Sequence, residues 1–217
     1  MFVKQWADEG GATYFTMVAT DGHRLSMIDR PFLVDIPAFR EGVIIPRKGL
    51  SELKGLLEES EEPFDFGIAA GRVFARIGQR LLSIVLIDEA FPNYKQVIPM
   101  DSHRSLRVNR GDFMDALRRV SLLSDTETHS VILSAEKNRS VLTSANPQLG
   151  DAREEIDSEY AGEGFRLAFN ASYAMDAMRS IEGEFVELSM NDPLAPCTIR
   201  GDADPGHLCV IMPMRID

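Results

Sequence analysis

Apolar residues recur at three- and four-residue steps in three stretches of the chain. The first carries Leu50, Leu53, Leu56 and Leu57, with Glu52, Lys54 and Glu58 between them. The second carries Phe113, Leu117 and Val120, with Arg118 and Arg119 off that stripe; the third carries Ala174, Met175, Met178 and Ile181. Such spacing gathers the apolar side chains on one face of a helix. Asn109 and Asn170 stand where an N-cap would accept the first free amides, and Asp112 suits the positive end of the second helix. Gly183 is placed to stop the third. Elsewhere the pattern shortens to runs bounded by turn residues, which reads as strand. Strands are expected at 64–69, 72–77 and 80–87 after the first helix, and at 130–135, 140–145 and 152–157 after the second. The third helix is followed by runs at 185–190, 197–200 and 208–212. Ala70-Gly71 and Gly78-Gln79 are candidates for tight hairpin turns.

The helical periods begin near residues 50, 110 and 170, a constant 60 apart. A helix followed by three strands, three times at one spacing, implies one supersecondary unit used repeatedly. The period is too long for a solenoid of helix pairs and suits duplicated half-domains. The fold class is therefore α+β. A break between domains is expected between Pro99 and Arg104, where the polar stretch MDSHR precedes a new strand at 105–108. That gives domains 1–103 and 104–217, the first of them incomplete at its front.

Composition narrows the function more than the fold. The 217 residues carry a net charge of −11, with 44% hydrophobic and 26% charged residues, an ordinary balance for a soluble protein. Residues 1–100 hold 11 Lys and Arg against 14 Asp and Glu, and the rest hold 12 against 20. Neither half is basic, so any contact with phosphates must come from a local patch. No apolar run is long enough for a membrane span, and the first residues lack the apolar core of a signal peptide. The cytoplasm is the expected compartment. Cys197 and Cys209 have no metal or redox spacing and read as a reduced, buried pair.

Catalytic motifs are scarce along the chain. His23, His103, His129 and His207 are scattered, and no Cys/His cluster has metal-ligand spacing. There is no nucleophile elbow and no phosphate-binding glycine loop. The run of Glu58, Glu59, Glu61 and Glu62 is best read as a solvated helix end. No cofactor is expected. Asp21, His23 and Arg24 could serve a small-molecule hydrolase or isomerase, an alternative that would need mutual side-chain hydrogen bonds in an enclosed cleft. Asp21-Gly22 between two apolar runs is first of all a hairpin turn.

Three segments are unusual together: VATDGHRL at 18–25, FPNYKQVIP at 91–99 and VIMPMR at 210–215. With IIPRKGLSEL at 44–53 and FNASYAMDAM at 169–178, they resemble the bacterial DNA sliding clamps, the beta subunit of DNA polymerase III. The resemblance runs along essentially the whole chain, in order. It implies a sliding-clamp fold, with helices lining a channel for duplex DNA and sheets outside. It also implies a non-catalytic processivity factor whose subunits, three domains each, join head-to-tail into a homo-oligomeric ring. This chain would hold most of the middle domain and all of the last, without the first domain and the opening strand of the second. Expected partners are duplex DNA, bound without sequence preference, and short peptide motifs. Those motifs would belong to replicative and translesion polymerases, the clamp loader and mismatch-repair proteins.

Site residues follow from the resemblance by position. A partner-peptide groove would use Thr20, Gly22, His23, Arg24, Leu25, Pro92, Val97, Asn170, Tyr173, Val210, Met212, Pro213, Met214 and Arg215. Flexible, polarizable methionines suit a promiscuous apolar groove, and Pro213, without an N–H, suits a sheet edge. Gln96 and Asp217 depart from the usual family pattern. Arg47, Lys48, Arg118 and Arg119 would face DNA, and Leu122 and Leu123 would meet the next subunit.

Overall fold

The computed structural model describes residues 1–60, 62–99 and 102–215. Glu61, Met100, Asp101 and Asp217, each part of a reading above, lie outside the described residues. The chain divides into two units: Met1–Ala19 with Met27–Asn93, and Thr20–Ser26 with Tyr94–Asp217. The division falls between Asn93 and Tyr94, earlier than the polar stretch suggested. The turn residues Tyr94–Val97, a short 3-10 helix, group with the second unit despite lying before the change in composition.

The first unit is built on β1 (Phe2–Ala7), β2 (Thr13–Thr20), β3 (Arg24–Pro31) and β4 (Val43–Ile44), in the sheet order β3-β2-β1-β4, with Thr20 of β2 and Arg24–Ser26 of β3 grouped with the second unit. Helix α1 (Arg47–Glu58) follows, then a three-stranded sheet of β5 (Phe64–Ala69), β6 (Arg72–Ile77) and β7 (Arg80–Val85). Ala70 and Gly71 join β5 to β6 with both residues at positive φ, 48° and 70°, as a type I′ turn requires. Strand β1 escaped the pattern because Gln5 occupies a core position, 2% exposed. Its amide is satisfied at both ends: Nε2 donates to Val34 O at 2.6 Å, and Oε1 accepts from Ile36 N at 2.7 Å. A buried amide with both groups paired costs little. Val3, Phe39, Ile45, Val73 and Ile84 form the core, with the Phe39 ring against Phe15 and Phe66. Helix α1 has no fully buried residue; Leu50 and Leu53 pack on that core from its edge.

The second unit repeats strand–helix–three strands twice. The first copy is β8 (Arg104–Asn109), α2 (Arg110–Ser121), β9 (Ser130–Glu136), β10 (Arg139–Asn146) and β11 (Gly150–Glu159). The second is β12 (Phe165–Asn170), α3 (Ala171–Ser180), β13 (Phe185–Met190), β14 (Cys197–Gly201) and β15 (His207–Ile211). Each copy lends its leading strand to the other, β8 pairing with β13 and β12 with β9 over their lengths. Both asparagine caps form. Asn109 Oδ1 accepts from Gly111 N and Asp112 N, and Asn170 Oδ1 from Ser172 N and Tyr173 N. Helix α3 stops at Ser180, before Gly183; that glycine serves the turn into β13, where an added Cβ would lie 2.1 Å from Asp202 Oδ1. Arg110 binds the end of α3, Nε donating to Gly183 O and Nη1 to Met178 O, where a cation meets unpaired carbonyls and the negative helix end.

Phe113, Ala116, Leu117 and Val120 of α2 and Ala171, Ala174, Ala177 and Met178 of α3 are buried in one apolar core with the sheet. Cys197 and Cys209 are buried and unbridged; burial pushes the Cys197 thiol up to about 12, against a hydrogen bond with the Ser189 backbone. Among the described residues no helix is long and apolar enough to cross a membrane. Each unit also has a closing contact after its last strand. Ile87 N donates to Ile44 O at 2.9 Å in the first unit, and Met214 N to Ala168 O at 2.7 Å in the second.

Candidate peptide groove and basic helix ends

Within the second unit, three distant segments meet: the turn Thr20–Ser26, helix α3 and the stretch after β15. The turn is built by its own side chains. Asp21 Oδ1 accepts from His23 N and Arg24 N, both at 3.1 Å, and Thr20 Oγ1 donates to Arg24 O at 2.7 Å. Gly22 takes φ +88°, the left-handed region in which glycine is unstrained. Burial would raise the Asp21 pKa, but the hydrogen bonds from His23 and Arg24 outweigh it and hold the carboxyl below its usual range. His23 O accepts from Met212 N at 2.9 Å, which lays residues 212–214 beside the turn.

The expected groove residues divide into four sets. His23, Arg24, Tyr173, Met212, Pro213 and Met214 lie at or near the surface, and Arg215 is exposed. The His23 ring lies nearly parallel to Tyr173, centroids 6.4 Å apart, and the Arg24 guanidinium sits 4.4 Å from the Tyr173 centroid. Leu25 and Val210 are buried, at 4% and 1% exposure, so they support the surface from beneath. Thr20, Gly22 and Asn170 are spent on local structure; besides capping α3, Asn170 Nδ2 donates to Thr128 O at 2.9 Å. Val97 and Gln96 lie in the 3-10 turn, half-buried and exposed, while Pro92 is an exposed residue of the first unit. Beneath Pro213 is a small apolar void lined by Leu167, Phe169, Ala174 and Ile211 among others.

Sequence reasoning missed Asp176, which accepts from Arg24 Nη1 at 2.6 Å. The signal was present: Asp176 is three residues after Tyr173, hence on the same helix face. The catalytic alternative is set aside. Asp21 is committed to its turn and to Arg24, the His23 ring is exposed and stacked on Tyr173, and the three side chains enclose no cleft.

The basic candidates sit at helix ends. Arg47 and Lys48 open α1, exposed and without an ion pair among the described residues, in a first turn that holds no acid. Cations there face the positive end of the helix, an arrangement that an incoming anion would relieve. Arg118 and Arg119 close α2. Arg118 pairs with Asp115 at 3.2 Å, and Arg119 forms a two-point pair with Glu154 at 2.8 and 3.1 Å. The bond to Glu154 raises the Arg119 pKa and lowers that of its partner. Leu122, just past α2, is 73% exposed, while Leu123 is half-buried.

Comparison with known proteins gives one result throughout. Residues 8–93 match the family model for the central domain of the DNA polymerase III beta subunit, and residues 95–215 the model for its C-terminal domain. The beta sliding clamp of Caulobacter vibrioides is 38% identical over 212 residues, 96% of this chain and 56% of the relative. That of Escherichia coli K12 is 31% identical over 199 residues, 92% of this chain and 54% of the relative. A crystal structure of the sliding clamp from Bartonella birtlesii bound to griselimycin superposes with TM-score 0.93 at 31% identity. It covers 99% of this chain and 58% of that one. The chain thus spans little more than half the length of these relatives, and over that span it belongs to the DNA polymerase III beta subunit family, the bacterial sliding clamps.

Proposed function

We propose that this chain works as part of a ring that encircles duplex DNA and tethers other replication proteins, without catalysis of its own. The observation that carries the reading is the convergence of the Thr20–Ser26 turn, Tyr173 and Met212–Met214 on one surface of the second unit. Apolar, adaptable side chains there are backed by fixed backbone hydrogen bonds, which is how a surface receives short peptides with few polar demands. The partners are peptide tails of replicative and translesion polymerases, the clamp loader and mismatch-repair proteins. Leu122 and Leu123 serve the contact between subunits, and work on the chromosome places the protein in the cytoplasm. Middle and last clamp domains correspond to the two units.

Titration of a fluorescent peptide rich in Gln, Leu and Phe against the purified chain tests the groove. Two large apolar anchors, each worth roughly 1.5–3 kcal/mol when buried, with backbone hydrogen bonds and after ordering costs, give micromolar binding, about −8 kcal/mol. No binding up to millimolar peptide would refute the assignment.

Duplex binding is expected to be weak, blind to sequence and steeply dependent on salt, because encirclement supplies retention that contacts need not. Each phosphate neutralised contributes about −0.9 to the slope of log K against log salt. Arg47 and Lys48 have no ion pair among the described residues, whereas Arg118 and Arg119 must first leave Asp115 and Glu154. The slope should therefore lie between about −2 and −4, and Arg47→Ala with Lys48→Ala should remove at least half of it. Fluorescence anisotropy on a linear duplex measures this, and an unchanged slope in the double variant would exclude the α1 end.

A further inference from the structure

One cation ties together the segments that supply the groove. Arg24 Nε donates to Asp21 Oδ2 at 3.0 Å within its own turn, and Nη1 donates to Asp176 Oδ2 at 2.6 Å on α3. The same guanidinium lies over the Tyr173 ring. Asp176 is in turn held from its other oxygen, Oδ1, by Arg179 Nη1 at 2.8 Å. The neighbouring residue extends the tie to the third segment through the bond from Met212 N to His23 O.

We propose that Arg24 and Asp176 form a latch that positions Tyr173 and the Thr20–Ser26 turn as one wall of the groove, Asp176 acting as a positioning residue. This rests on the peptide reading above and adds to it how the wall is held. The geometry suits arginine alone. A planar fork reaches two carboxylates in different directions while its face rests on an aromatic ring, and a lysine ammonium offers only a point charge. The capped start of α3 fixes where Tyr173 and Asp176 emerge, so the latch has only to set the ring and the turn. Loosened, both would have to be ordered again when a peptide binds, at a cost to affinity. The partners are partly exposed, 35% for the Arg24 side chain against 47% and 49% for the two aspartates, so salt screens the latch.

The test is the peptide titration on the full chain, run at low and high salt for the wild type, Asp176→Asn, Asp176→Glu and Arg24→Lys. An exposed ion pair and a cation–π contact together predict about three- to tenfold weaker binding for Asp176→Asn and Arg24→Lys at low salt. The gap from wild type should narrow at high salt, and Asp176→Glu should recover part of the loss. Circular dichroism should show both weakened variants melting near the wild type. Should Asp176→Asn misfold, Arg24→Lys keeps the charge and carries the test. Wild-type affinity in the weakened variants at low salt would overturn the latch while leaving the groove intact. An equal loss at both salts would also overturn it, since a packing defect is not screened. A folded wild type that binds no peptide would remove the groove and the latch with it.

Discussion

Met212→Ala should weaken peptide binding by about three- to tenfold, and Met214→Asp by more, among the largest effects expected of surface changes in the second unit. A half-buried methionine that becomes fully buried under a ligand gains about half of the roughly 1.5–3 kcal/mol of full burial, and about 1.4 kcal/mol is tenfold in affinity. Alanine removes that contact, while aspartate adds a charge that must be desolvated to no purpose. Neither change should harm the fold. The contacts that hold this stretch are made by the main chain, Met212 N to His23 O and Met214 N to Ala168 O, and both survive a change of side chain. Glu62→Ala, in the other unit, is the control and should bind as the wild type does. Fluorescence titration of the three variants decides it: equal affinities would move the groove elsewhere.

The second large effect is on stability. Leu117→Ala should destabilise the second unit by about 2–5 kcal/mol, from lost transfer energy and the cavity left behind. Leu117 is 0% exposed, between α2 and the sheet, within a core that spans both copies of the repeat. Leu122→Ala, five residues on, should change stability by no more than about 0.5 kcal/mol, because the side chain is 73% exposed. Urea titration followed by far-ultraviolet circular dichroism compares the two. Similar midpoints would mean that α2 does not bury the face described.

Much of this was visible in the sequence wherever a local rule agreed with the tertiary environment. Asn109 and Asn170 cap because the first free amides of a helix need an acceptor wherever the helix is packed. The hairpin at Ala70-Gly71 follows from the twist of the strands it joins. Strand β12 was hidden: Phe165, Leu167 and Phe169 alternate correctly but run straight into the cap of α3, so the whole passage reads as a helix start. The end of α3 was misplaced for a related reason. One of its last carbonyls, Met178 O, finds Arg110, a partner 68 residues away that no local pattern announces.

The site was less legible than the fold. Position within a family nominates residues but cannot separate those that meet a ligand from those that hold the others in place. Val210 and Leu25 were nominated with Met212, yet burial assigns them to the support beneath. Asp176 went unnoticed because its partner, Arg24, lies 152 residues away. The helical pattern leaves Arg119 a cation on a polar face, and its partner Glu154 belongs to β11, 35 residues on.

The closing contacts after β7 and β15 bear on how such a surface could arise. Ile87 and Met214 make the same backbone bond in the two units, each finishing a run of three strands against the strand that leads into a helix. The bond is indifferent to the side chain that accompanies it. One position can therefore keep a stiff, β-branched residue while its counterpart carries a supple thioether, two residues beyond the bond from Met212 to the turn. Repetition leaves a spare: a structural stitch present in two copies leaves the side chain of one free to vary while the architecture it fastens stays as it was.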